Sequence, residues 1–116
     1  MKLTDLIQEF DLVVKTGAGH LDRDVRVGYA SDLLSDVLAH AEDGALWVTL
    51  HIHQNIVAVA SHKELAGIVL VQGRQPEKDT MAKAEEEQIP IMVSSLSAFE
   101  LVGRLYKAGI RGAEAR

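Results

Sequence analysis

The sequence predicts an α/β fold: a three-layer α/β/α domain with a mostly parallel sheet of about five strands. Two observations carry that expectation. Strand-like runs alternate with helical stretches, and strand then helix recurs roughly every 20 to 25 residues, the rhythm of right-handed crossover units. One run, "GIVLV" (Gly67 to Val71), is apolar without interruption, the mark of a strand covered on both faces.

The elements follow in order. A short helix is expected around Leu3 to Glu9, then a strand at "DLVV" (Asp11 to Val14) ending at "KTGAG", where Gly17 and Gly19 allow a turn. "VRV" (Val25 to Val27) is brief and β-branched. It leads into "GYASDLLSDVLAHAEDG", where Ser31 is the expected N-cap, Leu33, Leu34, Val37, Leu38 and Ala41 keep helical spacing, and Gly44 is the stop. "ALWVTLHI" reads as a strand, and Asn55 as the cap of a helix over "IVAVASHKEL". After "GIVLV", Pro76 suits the first turn of a helix carrying "EKDTMAKAEEEQ". "IPIMV" is the last strand, "SSLS" supplies a cap, and "AFELVGRLYKAGI" is a helix with Leu101, Leu105 and Ala108 on one face. The charge cluster "KAEEEQ" is most simply a solvated helix face.

Composition bounds the function. A chain of 116 residues is near the commonest single-domain size, and no compositional shift marks a linker, so one domain over 1–116 is expected. With 47% hydrophobic residues it can bury a core. It has no cysteine, which removes thiolate catalysis, disulfides and sulfur-ligated metals. Net charge is −5 with scattered basic residues, the opposite of what a nucleic-acid backbone attracts. The start "MKLTDLIQEFD" lacks an apolar signal core, and no run approaches the roughly 18 residues of a membrane span, so the expected location is cytoplasmic.

Ligands of open α/β sheets sit outside the carboxyl ends of the strands. That rule points to "TGAG", "GYASD", "HIHQN", "QGRQP" and "SSLS", all small and polar, each opening a helix or tight turn. Helix starts offer unpaired N–H groups to an anion, although turns and caps alone also select such residues. The candidate ligand-binding or interface residues are Gly28, Ser31, Asp32, His51, His53, Asn55, Gly73, Arg74, Ser94 and Ser95.

In "TLHIHQN" (Thr49 to Asn55), His51 and His53 alternate with Leu50 and Ile52, so a continuing strand would place both imidazoles on one face with Thr49. Three readings stay open: a metal site, the lining of a pocket or dimer surface, and plain strand-end polarity. A metal would need further ligands from His20, His40, His62, Asp32 or Asp36, and no motif such as HExxH ties them to the pair. Asp32 and Asp36 lie one helical turn apart, where the dipole at the helix start already accounts for Asp32.

Complete catalytic templates are absent. "GAGHLDRD" has no third glycine in register, "GRQPEKDT" lacks the Lys-Ser/Thr pair of a P-loop, and neither "YASDL" nor "VSSLS" forms a nucleophile elbow. No catalytic residue, metal ligand or cofactor is therefore assigned.

From "VGYASDLLSDVLAHAEDG" through "AGIVLVQGRQP" to "IPIMVSSLSAFELVGRLY", roughly Val25 to Ile110, the chain resembles the DRTGG domain family in its small stand-alone form. The letters DRTGG do not occur, and "LVQGRQP" has one glycine where related domains often have two. The resemblance implies a fold like the N-terminal domain of HPr kinase/phosphorylase, whose kinase activity resides in a separate P-loop domain. It also implies kinship with non-catalytic regulatory or dimer-forming parts of phosphotransacetylases and CBS-domain pyrophosphatases. The expectation is a non-enzymatic regulatory or scaffolding module, homodimeric, sensing a small anion such as a nucleotide or phosphometabolite, or serving in a larger protein complex. The alternative is a small metal-binding protein or enzyme using His51 and His53.

Overall fold

The computed structural model describes residues 1–113. Helix α1 (Leu3–Phe10) precedes β1 (Val13–Thr16), a 3-10 turn (Ala18–His20) and β2 (Val27–Ala30). Then α2 (Leu34–His40), β3 (Ala45–Thr49), α3 (Asn55–His62), β4 (Gly67–Leu70), α4 (Lys78–Glu87), β5 (Ile91–Val93) and α5 (Ala98–Lys107) alternate. The sheet order is β1-β5-β4-β3-β2. Strands β2 to β5 are parallel, and β1 runs antiparallel to β5. The α/β architecture with a mostly parallel five-stranded sheet is as the sequence predicts.

Alternation along the buried strands builds the three layers. Trp47, Ile68, Leu70, Ile91 and Val93 face the core shared with α2, α3 and α4. Leu46, Val48, Val69, Val71 and Met92 face the opposite core, closed by α1 and α5. Each step from β2 to β5 crosses in the same direction, so its helices lie on one face; only after β5 does the chain pass to the other. Trp47 is fully buried and its indole N–H is satisfied by the Ser31 carbonyl at 2.9 Å.

Strands β1 and β2 are consecutive in sequence but occupy opposite edges of the sheet. The connection passes along the amino ends of the parallel strands, where Arg26 N–H donates to the Gly44 carbonyl at 2.9 Å. Gly17 opens this path at φ +73, and a Cβ there would stand 2.7 Å from the Pro90 backbone, so glycine is required on two counts. The edge of β2 is in turn covered by the chain's end, through Gly28 N–H to the Arg111 carbonyl at 2.9 Å.

Several boundaries differ from expectation. Strands β1 and β2 each sit about two residues further along than "DLVV" and "VRV" suggest. β3 stops at Thr49, and α3 ends at His62, short of Leu65. The first turn of α4 begins at Lys78, after Pro76, and β5 begins at Ile91 because Pro90 has no N–H for the ladder.

Candidate functional site

The antiparallel β1 corrects the predicted cluster of loops. The "TGAG" turn lies at the amino end of β5, with Thr16 opposite Ile91 and Gly17 N–H donating to the Glu85 carboxylate. Four loops, not five, share the carboxyl end of the sheet: residues 31–33, 50–54, 71–77 and 94–97. Gly28 is not among them. It lies inside β2 on the α5 side, where an added Cβ would meet Ile110 at 3.2 Å.

The four loops form a bonded rim. One carboxylate oxygen of Asp32 accepts from the Thr49 hydroxyl at 2.7 Å and from Leu50 N–H at 2.8 Å. Arg74 donates to the Leu50 carbonyl at 2.9 Å from the other side. The Ile52 carbonyl accepts from Thr80 at 2.6 Å and from Glu77 N–H at 3.2 Å. Segment 50–53 is thus held by the β2 loop, the β4 loop and α4 together.

Those bonds separate the two histidines. The chain bends after Thr49, so the alternation that would align the imidazoles stops. His51 Nε2 donates to the Asp32 carbonyl, and His53 Nδ1 donates to the Glu77 carboxylate at 2.9 Å. Among the described residues no three His, Cys, Asp or Glu side chains group as a metal site.

Two expected caps have other roles. Ser31 accepts from Leu33 N–H at 3.2 Å, and α2 takes Leu33, not Ser31, as its N-cap. Asn55 is the first residue of α3, behind Gln54, and is exposed. Asp32 lies one residue before the α2 N-cap, and its bonds go to Thr49 and Leu50 across the β2–β3 seam. Asp36 instead accepts from Tyr29 at 2.7 Å and from His40 at 3.0 Å. Hydrogen bonds from Tyr29, then Ser31 and His40, hold the Asp36 carboxyl below the usual carboxylate range. Burial, then the bond to Asp36 and its charge, push the Tyr29 phenol above its ordinary value.

The crossing pattern directs attention to β4 and β5, whose following helices leave to opposite faces, the kind of switch point at which α/β sheets hold ligands. Here the two loops are zipped together. Gln72 and Gly73 are left-handed at φ +58 and +65, which turns Gln72 N–H onto the Leu96 carbonyl and Gly73 N–H onto the Ser94 carbonyl, both at 2.8 Å. Ser94 is buried and its hydroxyl accepts from Leu96 N–H at 3.1 Å, whereas Ser95 and Arg74 are exposed. Arg74 is the one Arg or Lys of the four loops. A cleft of about 370 Å³ lies at the opposite end of the sheet, between Arg23, Gly44, Ser61 and Glu64, with Asp24 and Glu87 also on its wall.

The sequence model of the DRTGG domain matches residues 6–108. The chain belongs to the DRTGG domain family. The fold agrees with a solved DRTGG neighbour, the crystal structure of the CBS and DRTGG domains of the regulatory region of Clostridium perfringens pyrophosphatase, complexed with the activator diadenosine tetraphosphate. The TM-score is 0.70 at 9% identity, over 88% of this chain and 44% of that one. This DRTGG chain therefore spans less than half the length of that neighbour. No curated protein matches it in sequence.

Thr49, Glu77 and Thr80 fix the rim of this DRTGG domain without any local sequence sign of that role, because their partners lie 17 to 28 residues away. Helix α5 carries an exposed apolar stripe as well. Phe99, Val102 and Tyr106 are 89%, 37% and 57% exposed, and their i, i+3, i+7 spacing was legible beside the buried Leu101 and Leu105. No helix among the described residues is long and apolar enough to cross a membrane.

Proposed function

We propose that this DRTGG domain is a non-catalytic regulatory module, working as a homodimer, that takes a small anionic ligand of the nucleotide class on the carboxyl-end rim. The observation that carries this reading is Arg74. Its guanidinium is exposed on the rim, fixed by one nitrogen on the Leu50 carbonyl, with further N–H donors in a planar fork suited to phosphate. The carboxylates nearby are already engaged, Asp32 by Thr49 and Leu50, Glu77 by His53. Ser95 is exposed in the neighbouring loop after β5. The cleft at the opposite end suits an anion less, since three carboxylates, Asp24, Glu64 and Glu87, face Arg23 there, against two, Asp32 and Glu77, beside Arg74 on the rim. The activator complex of the pyrophosphatase neighbour supports the choice of ligand class.

A thermal-melt panel tests it, with inorganic phosphate, AMP, ADP, ATP and diadenosine tetraphosphate as probes. A ligand at about 100 times its Kd stabilises by about 2.7 kcal/mol, a shift of several degrees in a domain of this size. The expected result is a shift with at least one nucleotide that Arg74→Ala abolishes. A flat panel, or a shift that survives Arg74→Ala, contradicts the reading.

A further inference from the structure

Helix α5 buries Leu101 and Leu105 against the sheet and presents a second apolar stripe outward. Phe99, Val102, Gly103 and Tyr106 follow one another along that stripe, the spacing of a helix made to pack on another helix. Phe99, at 89% exposure, is a knob with no pocket in its own chain. Beside it a shallow apolar depression of about 610 Å³ runs over Ala30, Val102 and Tyr106 and continues into a tighter hollow of about 110 Å³ toward Val48 and Ile110. Arg111 stacks on the Tyr106 ring at 3.9 Å and holds it as a wall of the hollow.

Gly103 adds an independent observation. A glycine inside a helix costs roughly 0.5–1 kcal/mol relative to alanine. Nothing lies within 4 Å of where its Cβ would be, so the chain's own packing gives no reason for it. A second helix crossing closely at that point does.

Charge along the helix selects the occupant. Glu100 lies in the first turn, where one carboxylate oxygen accepts from Arg104 of its own helix at 3.1 Å, and Arg104 and Lys107 lie in the last; the second Glu100 oxygen is the one left to a partner's lysine. A second copy laid antiparallel across Val102 and Gly103 brings Phe99 onto Tyr106 and its hollow, and Glu100 beside Lys107, in both directions at once. That is the self-complementarity a two-fold contact requires. A parallel copy would set Phe99 on Phe99 and like charges on like charges.

We infer that the outer face of α5 is the self-association surface of this domain, with the two α5 helices antiparallel and crossing at Val102 and Gly103. The inference rests on the homodimer reading above and names its surface.

Light scattering after size exclusion tests it, with Phe99→Asp, Lys107→Glu and the exchange Glu100→Lys/Lys107→Glu. Phe99→Asp should fold normally, because the side chain is exposed and an acid near a helix start is favoured by the dipole; circular dichroism checks this. The expected results are a dimeric wild type, a monomeric Phe99→Asp, association weakened about fivefold by Lys107→Glu, and recovery in the exchange. A dimer that survives Phe99→Asp overturns the surface and leaves the homodimer standing. A monomeric wild type overturns both. Failure of the exchange to recover association overturns the antiparallel crossing. The nucleotide melt of Phe99→Asp, read separately, keeps the ligand proposal apart from these outcomes.

Discussion

Asp32 and Thr49 are joined side chain to side chain at 2.7 Å, and the same Asp32 oxygen takes the Leu50 N–H at 2.8 Å. A carboxylate after β2 therefore ends β3 and fixes the bend that carries His51 and His53. Thr49 is buried, so removing its acceptor leaves the hydroxyl proton without a partner, while the oxygen still accepts from His51 N–H at 3.2 Å. Asp32→Ala is expected to lose about 1–3 kcal/mol in chemical denaturation. A change under about 0.5 kcal/mol would show that this bond does not hold the rim.

Thr16 performs a similar service where β5 begins. Its hydroxyl donates to the Ile89 carbonyl at 2.8 Å and accepts from Ile91 N–H at 2.9 Å, spanning the missing N–H of Pro90 and the register shift of β1. Thr16→Val keeps the shape and strands two buried backbone groups, with an expected loss of about 1–3 kcal/mol. Thr16→Ser should retain most of it. Equal losses for the two variants would assign the effect to packing.

The glycines 17 and 73 share a positive φ but differ in surroundings. Gly73 has open space, so Gly73→Ala should cost about 1 kcal/mol, the backbone conformation alone. At Gly17 the added methyl also meets Pro90 at 2.7 Å, and the loss should exceed that of Gly73→Ala. The reverse order in urea midpoints would contradict the described path of the chain.

Tyr29 and Asp36 make stability depend on pH at both extremes. The folded Asp36 value is lowered, so its contribution is complete above the unfolded carboxylate pKa of about 3.9 and is lost as pH falls through the folded value. The folded Tyr29 value is raised, so its contribution is complete below the unfolded phenol pKa of about 10 and is lost as pH rises through the folded one. Tyr29→Phe removes the alkaline component and, by deleting the main partner of Asp36, shrinks the acid one. Melting temperatures of Tyr29→Phe that track the wild type at both ends would sink this assignment.

The fold was readable from the chain because β3, β4 and β5 are buried on both faces and their apolar runs say so. Strand β1 was not, since "DLVV" looks like the start of another crossover while its direction depends on Thr16 reaching Ile89 and Ile91, 73 and 75 residues away. The strand-end rule brought together four of its five loops and misplaced "TGAG", and the chemistry of the four was not legible. Asp32 resembled a helix-start acid until Thr49 and Leu50 claimed it, and the His51 and His53 alternation held only while the strand was assumed to run on. Gln72 gave no local sign of its left-handed backbone, which closes the β4–β5 seam.

The most direct test of the anion-sensing module is an NMR titration of isotope-labelled protein with ATP. Saturable amide shifts concentrated at residues 50–54, 72–75 and 94–98 are expected, with their loss in Arg74→Ala. Shifts confined to the cleft of Arg23, Gly44 and Ser61, or none at all, would contradict it.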